Sequence, residues 1–144
     1  MAHEFKLTRR VEFAETDLAG IVHFSAFFRW MESTEHAFYR SLGFSAHGLQ
    51  DDREIGWPRV HAECDYLAPL RFEDEVEIHL LVREKNKKSL KLEFNFYNQS
   101  THPPVKAAQG SLTVVCVDLA QNAEKMSAIP IPPFIADKID VAPS

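Results

Sequence analysis

Residues 24–42 read FSAFFRWMESTEHAFYRSL, and the rest of the predicted fold is organised around this segment. Its apolar residues recur at spacings of three and four, which is typical of a helix of about five turns with one buried face. Gly43 follows directly and predicts the end of the helix. The residues of this predicted face are Phe24, Phe27, Phe28, Met31, Glu35, Phe38, Tyr39 and Leu42.

Most of the remaining chain predicts strands. Apolar residues alternate with charged ones over 4–13, 73–83 and 90–97, which indicates strands with one solvated face. The turn 84–89 is expected to pair the last two. Segments 57–66 and 106–118 are further strand candidates. In the second, both the odd and the even positions near 112–117 are apolar, as in a strand covered on both faces. The polar segment 47–56 is expected to be a loop, and the proline-rich tail 129–140 a short helix that caps the domain or frays.

One strand, one long helix and four further strands predict an α+β fold. By the logic of packed layers, a curved antiparallel sheet of about five strands is expected to wrap around a single central helix. A chain of 144 residues suits one domain, which we expect to cover 1–144. One sheet leaves the far side of the helix partly bare, so a homodimer is the minimal assembly expected.

Composition limits the classes of function. With 16 Lys and Arg against 21 Asp and Glu, the formal net charge of −5 argues against nucleic-acid binding. Cys64, Cys116 and seven scattered His show no metal-ligand spacing, so no metal is expected. We find no signal-peptide pattern and no stretch of about 18 apolar residues, so a cytoplasmic location without a membrane partner is expected.

Three stretches carry a family resemblance: VEFAETDLAGIV at 11–22, CDYLAPLRFEDEVEI at 64–78 and GSLTVVCVD at 110–118. With Phe27, Arg29 and Glu32 they resemble the hotdog-fold acyl-CoA thioesterases of the 4-hydroxybenzoyl-CoA thioesterase type. The resemblance implies the hydrolysis of an acyl-CoA to free acid and CoA, without metal or organic cofactor. It also implies sites formed between two subunits of a homodimer or homotetramer.

Asp17 matches the catalytic aspartate of that family, and the resemblance implies that it is the nucleophile or the general base. An activated thioester needs little more than a placed carboxylate and stabilisation of the carbonyl oxyanion. Asp also favours turns and helix caps, which is the alternative role for this residue. The neighbouring Glu15 is expected to be solvated.

The amides that open the helix near His23, Phe24 and Ser25 are predicted to polarise the carbonyl. Gly20 is expected to let the backbone approach the acyl group, although it can equally complete a turn. Many relatives carry an aromatic residue at the position of His23 and an asparagine at that of Ala26. His23 is therefore a candidate for holding water or substrate, with a surface or capping histidine as the alternative.

The phosphates of CoA require cations, and the densest basic run is Lys85, Lys87 and Lys88 in the turn between two strands. Basic residues around this hairpin serve the nucleotide end in relatives. A lysine-rich turn is also a common solvated hairpin tip. Arg59 and Arg71 are lower-ranked alternatives.

Three further carboxylate or imidazole groups lie on the predicted helix. Glu32 and His36 share a face at i and i+4, which indicates a surface contact without catalysis. Glu35 lies nearer the apolar stripe and needs a partner, which either lines a site or belongs to a neighbouring strand.

Two other functions use the same features. A non-catalytic acyl-CoA binding or sensor module is compatible with the altered flank at His23 and Ala26. A dehydratase or thioesterase acting on a carrier-bound acyl group is compatible with the fold, because fold alone does not fix activity.

Overall fold

The computed structural model describes residues 2–50, 53–119 and 126–144, and for 48–50 the backbone only. Strand β1 and a single 3-10 turn precede the long helix α1, and strands occupy most of the chain that follows. The elements in chain order are β1 (Glu4–Arg10), the 3-10 turn (Phe13–Glu15), α1 (Ala26–Ser41), β2 (Gly48–Gln50), β3 (Arg53–Gly56), β4 (Arg59–Tyr66), β5 (Glu75–Lys85), β6 (Ser89–Asn98), β7 (Val105–Val115), β8 (Val117–Asp118), β9 (Ser127–Ala128) and α2 (Pro133–Ala136).

The main sheet has five antiparallel strands in the order β1-β5-β6-β7-β4. The predicted pairing of the second and third strand candidates is confirmed, since β5 and β6 form a hairpin in which Lys85 faces Leu90. A second sheet joins β2, β3, β8 and β9. The predicted strand 106–118 is therefore two strands separated by Cys116, with β7 in the main sheet and β8 in the second sheet.

Helix α1 packs its apolar face against the inner face of the main sheet. Its buried side chains include Trp30, Met31 and Phe38, which join the apolar side of β5 and β6 in one core. Close approach to β7 depends on Gly110, because a Cβ there would lie 2.8 Å from the Met31 sulfur. The predicted α+β architecture, a sheet wrapped around one long helix, is confirmed.

The ends of α1 follow the sequence with small differences. Gly43 has φ +95° and its amide donates to the Arg40 carbonyl, so the predicted stop is confirmed. At the other end the helix begins at Ala26 with Ser25 as N-cap, and Phe24 is 62% exposed instead of lying on the buried face. No helix within the described ranges is long and apolar enough to cross a membrane.

The predicted loop 47–56 is wrong in its described part. Gly48–Gln50 and Arg53–Gly56 pair as antiparallel strands, and β3 pairs further with β8. Polar strands of three and four residues give no periodic signal of their own. Moreover, β3 pairs with a segment about 60 residues later in the chain, which the local sequence does not reveal.

Candidate active site

Asp17 lies in a closed loop between β1 and α1, residues 16–22, which we call the Asp17 loop. Thr16 and Val22 form an antiparallel bridge at its neck. Inside it the Asp17 amide donates to the Ile21 carbonyl at 2.9 Å, and the Gly20 amide donates to the Asp17 carbonyl at 2.9 Å. The backbone that carries the candidate carboxylate is therefore fixed from both sides.

The two carboxylate oxygens of Asp17 differ in their surroundings. Oδ1 accepts a hydrogen bond from the Ala19 amide at 2.9 Å, the turn contact that Asp favours. Among the described residues, no group donates to Oδ2. Asp17 is half-buried, so one oxygen holds the turn while the other is available to a ligand.

Gly20 completes this turn. Its φ of +81° is a backbone conformation that glycine adopts without strain, and a Cβ added there would meet no atom within 4 Å. Backbone conformation, and not crowding, thus requires glycine at this position. Gly20 is exposed and does not line the groove described below.

The three amides predicted to polarise a carbonyl have different fates. The His23 amide donates to the Glu15 carbonyl at 2.8 Å, and the Ser25 amide donates to His23 Nδ1 at 3.2 Å. Within the described part of the chain, the Phe24 amide has no acceptor. His23 also contacts Ser25 Oγ through Nδ1 at 2.8 Å, so this histidine caps the start of α1.

Asp17 and Phe24 both line a groove of about 570 Å³ between the Asp17 loop, the start of α1 and the segment after β4. Among the described residues that line it, Asp17 and Arg71 carry the charges and the others are almost all apolar. The lining consists of Asp17, Ile21, Val22, Phe24, Phe27, Tyr66, Leu67, Ala68, Pro69, Leu70 and Arg71. The structure thus brings together two of the predicted site residues, Asp17 and Phe24, whereas His23, Ser25 and Gly20 do not line the groove.

Tyr66 closes one side of the groove and was not predicted from the sequence. Its hydroxyl donates to the Phe24 carbonyl at 2.9 Å, and its ring lies edge-on to Phe27 at 5.1 Å. Partial burial raises the pKa of Tyr66 to about 12, so the hydroxyl is protonated near neutral pH. The end of β4 thereby holds the peptide that directly follows the one carrying the candidate amide.

Glu15 is not solvated, and that expectation was wrong. Its side chain is 13% exposed, and its carboxylate accepts hydrogen bonds from Trp30 Nε1 at 2.6 Å, Arg9 Nη2 at 3.1 Å and the Glu12 amide at 2.8 Å. The Arg9 guanidinium also lies over the Trp30 ring, 5.2 Å from its centroid. The sequence could not give the contact with Trp30, since that residue lies 15 residues away on another element.

The predicted CoA lysines lie at the other end of the main sheet. Arg10, close before the Asp17 loop, faces Glu75 at the start of β5, whereas Lys85 ends that strand. Ten residues of strand span about 33 Å. Lys85 Nζ moreover donates to the carbonyl oxygens of Ala136 at 2.9 Å and Ile139 at 2.8 Å, while Lys87 and Lys88 are exposed.

Glu35 finds its partner on a strand, outside the groove. It is fully buried and pairs with Arg59 of β4, whose Nη2 lies 2.5 Å from Oε1 and whose Nη1 lies 3.2 Å from Oε2. Glu32 also accepts from Arg59, at 3.0 Å, and His36 lies 3.8 Å from Glu35. The expected contact between Glu32 and His36 is therefore replaced by a cluster around one arginine. No group of three or more potential metal ligands occurs within the described ranges.

The curved sheet around one helix, with a carboxylate in the loop before that helix, defines a hotdog-type thioesterase domain. A sequence model of the thioesterase-like superfamily matches residues 11–139, and the chain belongs to this superfamily.

Individual relatives share much of the sequence. A gentisyl-coenzyme A thioesterase of known structure is 34% identical, with a TM-score of 0.76 and coverage of 91% of this chain and 98% of that one. A protein of known structure from Aquifex aeolicus is 26% identical, with a TM-score of 0.81 and coverage of 94% and 99%. The 1,4-dihydroxy-2-naphthoyl-CoA hydrolase of Prochlorococcus marinus is 35% identical over 97 residues, which are 62% of this chain and 63% of that protein. The chain spans less than two thirds of the length of this and similar curated relatives.

Proposed function

We propose that the chain hydrolyses an acyl-CoA thioester, with Asp17 as nucleophile or general base. The observation that carries this proposal is that Asp17 and Phe24 line the same apolar groove, and that the Asp17 Oδ2 and the Phe24 amide have no hydrogen-bond partner among the residues that the structure describes. In this reaction water supplies oxygen to the acyl carbon, the carbon–sulfur bond breaks, and the thiol leaves with a proton.

Each group has a defined part. The Phe24 amide polarises the carbonyl oxygen as negative charge develops on it, which is the usual role of such a donor. Asp17 either attacks the acyl carbon or takes a proton from the attacking water. The apolar walls lower the local dielectric, which strengthens both interactions.

The acyl group is proposed to be aromatic. Phe24, Phe27 and Tyr66 contribute rings to the groove, and offset or edge-on ring contacts favour a flat aryl group. Two relatives are named for gentisyl-CoA and 1,4-dihydroxy-2-naphthoyl-CoA, both hydroxylated aryl thioesters. Benzoyl-type and naphthoyl-type thioesters are therefore expected to give higher kcat/KM than acetyl or long aliphatic ones.

The test is thiol release from a panel of aromatic and aliphatic acyl-CoAs by wild type, Asp17→Asn and the control Asp140→Asn. Asparagine retains an oxygen for the Ala19 amide, so the turn is kept while the charge is removed. Loss of a general base or nucleophile is expected to lower kcat by about 10²- to 10⁴-fold. Asp140, in the C-terminal segment, is expected to tolerate the change. An acyl-CoA that binds and stays intact with wild type would instead indicate a binding module, and turnover only on carrier-linked substrates would indicate the carrier-protein enzyme.

Arg71 lines the groove and is a second candidate for binding the CoA phosphates, in addition to the predicted lysines of the distant hairpin. The Arg71 amide donates to Asp74 Oδ2 at 2.8 Å and the Asp74 amide donates back to the Arg71 carbonyl at 3.0 Å, so a tight turn presents this guanidinium. Replacing Arg71 by Glu is expected to raise KM for acyl-CoA but not for the matching N-acetylcysteamine thioester, which has no phosphate. The same pair of substrates tests Lys87→Glu and Lys88→Glu.

A homodimer, alone or within a homotetramer, is proposed to form along β4. Six of the eight residues of this edge strand are exposed, including Val60 at 62%. A long exposed edge favours pairing with another strand. Sedimentation velocity is expected to show a dimer or tetramer that Val60→Lys weakens.

We also propose that residues 1–144 act as one domain, and a cytoplasmic location stays a prediction.

A further inference from the structure

Glu15 joins three elements through one carboxylate. Oε1 accepts from the Glu12 amide, before the 3-10 turn, and Oε2 accepts from Trp30 in α1 and from Arg9 in β1. With 13% of the side chain exposed, these bonds are largely shielded from water. The carboxylate thus fixes the position of β1 relative to α1 at the point where the Asp17 loop departs.

The backbone of Glu15 holds the other end of the same loop. Its carbonyl accepts from the His23 amide at 2.8 Å, next to the Thr16–Val22 bridge. Asp17 is two residues downstream of Glu15, and Phe24 directly follows His23. The hydrogen bond between Glu15 and His23 therefore helps to fix the position of the candidate carboxylate relative to the candidate amide.

We propose that Glu15 is a positioning residue that acts through Asp17 by holding the Asp17 loop against α1. This inference rests on the proposed function for its effect on turnover. A misplacement of about 1 Å between reacting groups can lower a rate by about 100-fold, so a clamp of this kind affects catalysis without contacting substrate.

The residue must be a carboxylate for this role. Each of its oxygens faces N–H donors, the Glu12 amide on one side and Trp30 with Arg9 on the other. A glutamine has one acceptor oxygen, and its NH2 group can only donate. In Glu15→Gln one side therefore places a donor against a donor in either orientation of the amide.

The experiment compares Glu15→Gln with the matched control Glu93→Gln. Glu93 is 19% exposed, and its Oε2 accepts from Arg83 at 3.0 Å and from Asn95 at 2.9 Å, on the face of the sheet away from α1. Each variant is measured for kcat, KM, thermal midpoint and the hydrogen exchange of individual amides. Trp30→Phe, which removes one of the two donors to Glu15 Oε2 and keeps an aromatic ring in the core, is the second variant if Glu15→Gln does not fold.

The expected result for Glu15→Gln is a fall in kcat of about 10- to 100-fold with KM nearly unchanged. Exchange of the Asp17, Gly20 and His23 amides is expected to rise. Glu93→Gln is expected to lower the thermal midpoint by a similar amount with neither effect. Added to Asp17→Asn, Glu15→Gln is expected to lower kcat no further, because it acts through that residue.

Two results would overturn the inference. Unchanged exchange of the three amides would show that Glu15 does not hold the loop, and faster exchange with wild-type kcat would show that the clamp does not serve catalysis. Since exchange needs no substrate, a wild-type protein that cleaves none of the thioesters would refute the proposed function while exchange still decides on the clamp.

Discussion

The burial of Glu35 makes a quantitative prediction for Arg59→Met. Arg59 gives the fully buried carboxylate two hydrogen bonds and its only close full positive charge among the described residues. Burial raises the pKa of Tyr39 well above its usual range, and Glu35 adds to the shift, so the Tyr39 hydroxyl remains a donor at 2.8 Å. Methionine keeps most of the apolar stem but leaves Glu35 with this neutral donor and with His36 at 3.8 Å.

Removing one partner of a buried ion pair costs about 3–5 kcal/mol. Because the Arg59 side chain is 25% exposed, water can reach part of the space it leaves, and the lower figure of about 3 kcal/mol applies. For a chain of this size each kcal/mol lowers the thermal midpoint by about 2–4 °C, so a fall of about 6–12 °C is expected.

Urea unfolding followed by tryptophan fluorescence measures this loss. Trp57 reports on the site, because its carbonyl accepts from Arg59 and its ring stacks on Tyr39.

The control is the double variant Arg59→Met/Glu35→Met, which removes the stranded charge and is expected to be more stable than Arg59→Met alone. A loss below about 1 kcal/mol for Arg59→Met, in the range of an exposed pair, would refute the reasoning.

Three further predictions concern packing, charge and the C-terminal segment. Gly110→Ala places a Cβ 2.8 Å from the Met31 sulfur and 2.9 Å from a backbone carbonyl, so urea unfolding should show a loss of about 1–3 kcal/mol. Burial alone would raise the pKa of Glu93, but hydrogen bonds from Arg83 and Asn95 outweigh it and the pKa is lowered. The stability difference between wild type and Glu93→Gln is therefore expected to be full above the unfolded pKa of about 4.3 and to vanish as the pH falls through the folded pKa. Lys85→Met removes two bonds to carbonyls of the C-terminal segment, so faster amide exchange there is expected, with KM for acyl-CoA unchanged.

Periodicity predicted the elements that one buried face defines. Helix α1 and strands β5 and β6 each place one face against the core, and that arrangement imposes a repeat of 3.6 or 2 on the sequence. Strands β2 and β3 are three and four residues long, too short to show such a repeat, and the pairing of β3 with β8 is non-local. Phe24 was assigned to the buried face because its spacing fits, yet it precedes the first helical residue and faces the groove.

The candidate site was predictable to the same extent. Asp17 was found by its motif, and the turn around it follows from local residue chemistry. The roles of Glu15, Tyr66 and Arg71 depend on contacts with distant elements, as in the bond from Tyr66 to the Phe24 carbonyl, 42 residues away. Contacts between residues far apart in the chain leave no local pattern in the sequence. A polar residue near a motif is therefore predicted to be solvent-exposed even where, like Glu15, it has buried partners.

The sheet geometry also connects the proposed CoA site to the proposed dimer. Lys87 and Lys88 follow the far end of β5, about 33 Å along the strand from the end beside the Asp17 loop. Arg71 lines the groove of its own protomer, whereas the two lysines can reach a groove only in a second copy of the chain. If they bind phosphate, their contribution to KM must disappear when Val60→Lys separates the copies.

Two substitutions, Lys87→Glu and Arg71→Glu, are therefore measured in the wild-type background and in the Val60→Lys background. Their KM values decide whether the hairpin lysines or Arg71 bind the CoA phosphates. A KM effect of Lys87→Glu that is lost in the monomeric background would assign the phosphates to the partner's hairpin. Full retention of that effect in a monomer would contradict the placement of the hairpin relative to the groove. If Arg71→Glu alone raises KM, and does so in both backgrounds, each protomer binds the nucleotide by itself, and dimerisation along β4 then serves stability alone.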